Sequence, residues 1–467
     1  MPLPPASAVA TASTPTATSG TGPSDQALAA LEADLRSQGV HTLLAQFVDL
    51  HGAPKGKWLP LHQLATLARG GAGFAGPSIW GTALPRTGPR SEYYARADLA
   101  TLAVLPWMPG FAHVACDGFV DGAPFDNCPR QVLRRATERL ARRGWTLQVG
   151  IEPEFFLLKK AGGAWLPFDD DDRLDKPSYD LKSLPRRAAF LGELRAALES
   201  AGMMVLQTDH EDAHGQYEIN FEHAPALASA DNVTLFKLAA HTLAERAGAV
   251  FSMMPKPFAN QPGSGLHFHV SLWEGERCVF ANANGGAGVS ALAGHFIAGV
   301  LAHSAALTAL AAPTVNSYKR LVVGESLSGT TWAPAYVAHG PNNRTALVRT
   351  LDGRFEWRLP DASANPYLAL AGLIAAGLDG IERALDPGPP CTEDLFALDL
   401  AQIRARGVAL LPQSLLEAVD ALRADSVLRD ALGSSLADEF DRLKRLEWMA
   451  YARHVSGWEL DRYATAF

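Results

Sequence analysis

Glu152-Pro153-Glu154-Phe155-Phe156-Leu157-Leu158 places two carboxylates two positions apart at the head of an apolar run of strand character. Side chains alternate between faces along a strand, so Glu152 and Glu154 share one face. Two later runs repeat the arrangement. His267-Phe268-His269-Val270-Ser271 sets two imidazoles and a hydroxyl on one face, and Arg354-Phe355-Glu356-Trp357-Arg358 sets two guanidiniums around a carboxylate, with Phe355 and Trp357 opposite. Three strands therefore each carry a polar stripe opposite an apolar one. Glu211 and Glu218 bracket the loop 212–217, so five glutamates and a histidine are available as ligands for hard divalent cations.

Taken singly, each run has an ordinary reading: a lone Glu-x-Glu is a solvated strand face, and a His-x-His pair packs or hydrogen-bonds. Their number changes the weighing, because carboxylates embedded among Phe, Leu and Trp need cations or arginines nearby. Arg320, Arg344, Arg349, Arg354 and Arg358 lie in one stretch of the chain, and arginine suits bidentate contact with carboxylate or phosphate. An ordinary surface cluster is the competing reading for any one of them.

Working outward, the chain has 467 residues, 48% of them hydrophobic and 19% charged, enough for a substantial core and a second, smaller domain. The formal net charge is −8 and the basic residues are scattered, which points away from nucleic acid as a partner. The four cysteines, Cys116, Cys128, Cys278 and Cys391, lack the paired spacing of a zinc site or disulfide framework, so a reducing cytoplasm is the expected location.

Residues 1–24 carry no charged side chain, no basic leader region and no sustained apolar run, and are expected to form a disordered tail. A helix is expected over Asp25–Gln38 and a strand over Thr42–Leu50, closed by the turn His51-Gly52-Ala53-Pro54. After Cys128-Pro129 a basic amphipathic helix over Arg130–Arg143 marks a domain boundary. Strands and helices then alternate to about Arg383, and a helical segment closes the chain. The apolar stretches Ala291–Pro313 and Leu368–Ile381 are expected to be buried, alanine-rich helices and not membrane spans: the first carries His295, His303 and Ser304, and the second is too short.

These residues carry a resemblance. The runs at 152–156, Met254-Pro255-Lys256-Pro257-Phe258, 263–272, Pro313 to Arg320, Arg354 to Asp361 and 364–368 resemble, in order, the signature blocks of type I-like glutamine synthetases, over roughly residues 40–460. The resemblance implies an α+β chain: an N-terminal β-grasp domain (25–128) and a C-terminal catalytic domain (129–467) built on an antiparallel half-barrel flanked by helices. It implies stacked rings of subunits with shared active sites, Asp49 reaching into the neighbour's site. Residue by residue, it implies that Glu154, Glu211 and Glu218 hold one Mg2+ or Mn2+ and that Glu152, His267 and Glu356 hold a second. Gly263 and Arg320 match glutamate-binding positions; Arg344, Arg349 and Arg354 match residues around the phosphates, Arg344 also serving the substrate side. Arg358 matches a residue at the transferring phosphoryl group and substrate carboxylate, and Phe221, His269 and Ser271 match the nucleotide side. The implied reaction is ATP-dependent and ADP-producing: glutamate becomes γ-glutamyl phosphate, and an amine then displaces phosphate.

The sequence departs from ammonia-using members in the flap. The run Lys319 to Pro334 includes Ser-Gly-Thr-Thr-Trp332 and resembles instead the γ-glutamylmethylamide and γ-glutamylanilide synthetases of amine-degrading bacteria. Glu325 lies close to, but shifted from, the place of the flap's catalytic glutamate and is the candidate for it. Pro262 stands where the glutamate-site loop usually carries Asn, and Phe396 replaces the tyrosine adenylylated in regulated enzymes, so no such regulation is expected. The expected partners are glutamate and a small, substituted amine, alkyl or aromatic. Ammonia as nucleophile, a catalytically silent structural relative and a metal-dependent hydrolase are the competing readings.

Overall fold

The computed structural model describes residues 23–282, 288–324 and 332–467; the expected tail falls almost wholly outside them. The first helix, Asp25–Ser37, begins where the Ser24 hydroxyl accepts the Ala27 amide at 3.2 Å, and it buries Leu28 and Leu35. The strand Thr42–Val48 follows, pairing antiparallel with Pro54–Pro60 and parallel with Phe111–Val120 in a seven-stranded sheet. Its alternation divides two cores: Leu43, Ala45 and Phe47 pack into a small N-terminal core with Val114 and Cys116, while Val48 and Leu50 join the larger core.

The second sheet has eleven strands. Its main path runs Val205–His210, Gln216–Phe221, Thr146–Ala161, Leu266–Glu274, Arg354–Trp357, Val348–Leu351, His339–Pro341 and curls into a half-barrel. Pairing along this path is antiparallel except at its end, where His339–Pro341 runs parallel to Val348–Leu351. One face is apolar: Ile151, Phe155, Leu157, Tyr217, Ile219, Phe268, Phe355 and Trp357 pack against helices that include Ala226–Arg246 and Pro366–Glu382. Each large side chain buried there contributes about 1.5–3 kcal/mol, which ties the sheet to its helical layer and leaves the opposite face for polar groups.

The two sheets are fastened near the expected boundary. The helix Pro129–Ala141 carries Arg130, 2% exposed, which meets Asp98 and Asp117 at 2.9 Å and Asp231 at 2.8 Å. A second fastening is Asn365, which caps the helix Pro366–Glu382 and donates to the carbonyls of Asp49 and Leu50 at 3.2 and 3.1 Å. Gly52, at φ 77°, allows this approach, since a Cβ there would lie 3.0 Å from Asn365 Cα.

The stretch expected as one buried helix over Ala291–Pro313 is two, Ala291–Ala302 and Ser304–Ala311, bent by 76°. His303 sits at the break between Asp379 (3.0 Å) and Asp425 (2.5 Å), a polar clamp that apolar periodicity does not reveal. Among the described residues no single helix is long and apolar enough to cross a membrane. All four cysteines are free.

Candidate active site

Strand register lays the polar stripes side by side. Asp209 faces Glu218, which faces Glu154; two residues back on that central strand Glu152 faces His267; two residues further along the histidine strand His269 faces Glu356, which faces Arg349. Partners across a ladder share a face, so six strands deliver these groups to one side of the half-barrel. They line a cavity of about 890 Å³.

The cavity has two chemically different halves. In the first, Asp209, Glu211 and Glu218 bring carboxylate oxygens within 4.8 Å of one another, with Glu154 alongside. Burial raises Glu211 and Glu218 well above the usual carboxylate range, and the neighbouring carboxylates add to it. Asp209 is pushed up to about 6 by burial and by Glu152 and Glu154. Hard oxygen donors that repel one another in this way fit a divalent cation. Glu154 is turned partly away from this repulsion: its Oε2 accepts from Gly265 N at 2.8 Å and Gln216 Nε2 at 2.9 Å.

In the second half the carboxylates are compensated. Burial pushes Glu152 up, but the neighbouring His267 and His269 outweigh it and hold the group low. Burial of Glu356, 1% exposed, is likewise outweighed by the charges of Arg358, His267 and His269. Arg349 Nη1 meets Glu356 Oε2 at 2.9 Å, and Arg358 pairs with Oε1. His267 Nδ1 lies 3.5 Å from Glu356 and 3.7 Å from Glu152, while His269 Nε2 lies 2.9 Å from Glu152. Either imidazole can therefore complete a ligand set with these two carboxylates.

Around these halves stand the remaining groups. Arg320, 4% exposed, donates to the carbonyl of Leu359 at 3.1 Å, and it lines the cavity with Gly263, Arg344 and Arg354. Close packing explains a glycine that sequence reading passed over: a Cβ on Gly265 would lie 2.7 Å from His267 Nε2 and 2.8 Å from Glu154 Oε1.

Thirteen of the residues singled out from sequence thus line the one cavity: Glu152, Glu154, Glu211, Glu218, Gly263, His267, His269, Arg320, Arg344, Arg349, Arg354, Glu356 and Arg358. Three are placed elsewhere. Phe221 turns its ring into the core beside Tyr217 and Ile219, so only its backbone is available to a ligand. Ser271 lies beyond the lining, accepting the Trp273 indole N–H at 2.9 Å. Asp49 organises its own turn, accepting the amides of His51 and Ala53 at 3.0 Å each, with Lys55 at 3.6 Å. Glu325 lies outside the described residues. Sequence reading missed Asp209 and Gln216; the first carries a signal, since Asp209 and Glu211 have the same two-residue spacing as Glu152 and Glu154.

A half-barrel whose polar face gathers carboxylates, imidazoles and arginines has the donors to hold divalent cations and anionic substrates. Residues 126–463 match the family described as glutamine synthetase, catalytic domain. The chain is 49% identical to the glutamate–methylamine ligase of Methyloversatilis universalis over 436 residues, covering 93% of this chain and 98% of the relative. It is 38% identical to a glutamine synthetase of Rhizobium leguminosarum bv. phaseoli, covering 92% and 98%. A solved GmaS/ADP complex superposes with a TM-score of 0.86 at 38% identity, covering 93% of this chain and 99% of that one. The chain belongs to the glutamine synthetase family and is an ATP-dependent ligase that joins glutamate to an amine. That family uses ATP and divalent metals.

Proposed function

We propose that this ligase uses a substituted amine, of the methylamine class or larger, in preference to ammonia. The observation that carries the reading is Trp332 at the cavity wall, 46% exposed, an apolar surface for the carbon substituent of an amine. The 49% identity to a glutamate–methylamine ligase supports it. Each methylene buried there would contribute about 0.8 kcal/mol in favour of an organic amine.

The side chains divide the work as follows. Arg320 and the Gly263 loop bind the amino-acid end of glutamate, and Arg344, Arg349 and Arg354 hold the phosphates of ATP. The γ-carboxylate oxygen then attacks the terminal phosphorus, forming a C–O–P linkage as ADP leaves, with Arg358 beside the transferring group. The amine nitrogen attacks the activated carbon, and phosphate departs with the bonding pair. Two Mg2+ or Mn2+ ions, one at Asp209, Glu211, Glu218 and Glu154 and one at Glu152, Glu356 and a histidine, would neutralise the phosphate charge. The attacking nitrogen must lose a proton. Glu325 is a candidate acceptor, as is Asp49 of an adjoining subunit if the chains assemble into rings with composite sites. In a single chain the Asp49 side chain is 1% exposed, so delivery to a neighbour requires assembly to open its turn. His269, with Ser271 and the Phe221 backbone further out, faces the nucleotide side. A cytoplasmic location accords with the free thiols.

The test is kcat/KM for ammonia, methylamine, isopropylamine, ethanolamine and aniline at saturating glutamate and ATP. Methylamine or a larger amine should exceed ammonia. Ammonia as the best substrate would reduce the protein to a glutamine synthetase with an unusual flap.

A further inference from the structure

Trp332 is held from two sides. Its indole N–H donates to Asp212 Oδ2 at 2.7 Å, and its backbone carbonyl accepts from Arg358 Nη2 at 3.1 Å. Asp212 is itself fixed, because the Ser178 hydroxyl donates to its other oxygen, Oδ1. Arg358 is fixed by its ion pair with Glu356. The chain of contacts Ser178–Asp212–Trp332–Arg358–Glu356 therefore crosses the cavity wall from the uncompensated half to the compensated half. Asp212 adjoins Glu211 in sequence, which ties the ring to the carboxylate cluster.

Charge decides what meets that ring. Arg344, Arg349 and Arg354 line the cavity on the phosphate side, whereas Asp212 sets a carboxylate against Trp332. An alkylamine reaches the site mainly as its ammonium ion and is drawn to that side. There its nitrogen faces the Asp212 carboxylate and its carbon faces the indole. An indole free to rotate would offer no fixed surface; one tethered through its N–H does.

We propose that Asp212 is a specificity-determining positioning residue: it accepts the Trp332 indole N–H, fixes the ring as the wall of the amine subsite, and thereby sets the preference for a substituted amine over ammonia. This deepens the proposed function and rests on it. Asp212 has no bond-making part; with one oxygen on Ser178 and the other on Trp332, both of its acceptors are engaged in holding the wall.

The experiment measures the ratio of kcat/KM for methylamine to that for ammonia, together with KM for glutamate and ATP, on wild type, Asp212→Leu, Asp212→Asn, Trp332→Phe and the double variant Asp212→Leu/Trp332→Phe. Trp332→Phe keeps a ring and removes the N–H; Asp212→Asn keeps an acceptor for it. Loss of the tether should lower the ratio about tenfold in Asp212→Leu and in Trp332→Phe, with no further fall in the double variant, because both remove the same contact. Asp212→Asn should retain most of the preference, and KM for glutamate should stay within about twofold throughout. A ratio unchanged in both Asp212→Leu and Trp332→Phe, or falls that add in the double variant, would overturn the proposal. A wild-type enzyme that prefers ammonia would instead overturn the proposed function before any variant is made, so the two failures are distinguishable.

Discussion

The two halves of the cavity hold carboxylates in opposite electrostatic states. Glu152, half-buried, and Glu356, buried, stay ionised because histidines and arginines surround them. Among the described residues, Asp209, Glu211 and Glu218 are gathered with no ion pair to an arginine or lysine and are driven toward protonation. The difference lies in whether the charges of each half balance from within the chain. The compensated half is an arginine–carboxylate–imidazole lattice that holds its shape unaided, whereas the uncompensated half carries a strain that a divalent cation would relieve.

The largest effect should come from removing the anion at the centre of the compensated half. Glu356→Ala leaves Arg349 and Arg358 without their counter-charge and removes a proposed metal ligand, so ligation should fall by at least about a hundredfold. Steady-state phosphate release at saturating Mg2+ checks this, and near-normal turnover would break the distinction between the halves.

A mixture sharpens the comparison by asking whether one chain holds the whole site. Asp49→Ala and Glu356→Ala subunits, each inactive alone, should regain activity when reassembled together, because random mixing leaves about a quarter of composite sites intact. Mixtures with verified subunit exchange that remain inactive would remove Asp49 from the neighbour's site.

Metal-free protein should expose the strain of the uncompensated half directly. The folded pKa values of Asp209, Glu211 and Glu218 lie above their unfolded values, so between those limits the native state binds more protons than the unfolded chain. Stability should therefore fall as pH rises from about 4 through about 6 and beyond, the reverse of a salt-bridged carboxylate. Glu211→Gln should raise the metal-free Tm at pH 8 by about 2–4 °C while abolishing the further rise that Mg2+ gives wild type, read by calorimetry. A Tm that rises with pH in the metal-free protein across this range would contradict the assignment.

The smallest effect belongs to a compensated cluster outside the cavity lining. Hydrogen bonds to Asp425 and Asp379, working against burial, raise the His303 pKa, so its contribution is present in full below the unfolded pKa near 6.5 and lost as pH rises through the raised folded value. The Asp425 pKa is lowered, burial being outweighed by His303, so its share is lost only as pH falls below the usual carboxylate range. His303→Gln should cost about 1–3 kcal/mol near pH 6 in denaturant unfolding, less above pH 8, and leave kcat/KM unchanged.

The compensated half was legible in the sequence because its residues come in pairs two apart on apolar strands, and alternation alone puts them on one face. The uncompensated half was less so. Asp209 joins Glu218 by strand register across a turn, a pairing that spacing does not announce. Phe221 illustrates the converse: alternation from Glu218 places its ring on the core face, so the carried-over nucleotide role can rest only on its backbone. The break at His303 was hidden because its partners lie 76 and 122 residues away, and the Trp332 tether because Asp212 lies 120 residues away. Local periodicity gave elements and faces; charge compensation depends on contacts between distant segments.

The central claim is that this ligase selects a substituted amine, and competition tests it most directly. With glutamate and ATP saturating and methylamine and ammonia at equal total concentration in one vessel, the ratio of γ-glutamylmethylamide to glutamine early in the reaction equals the ratio of the two kcat/KM values. The account predicts that the methylamide dominates several-fold; glutamine as the major product would contradict it.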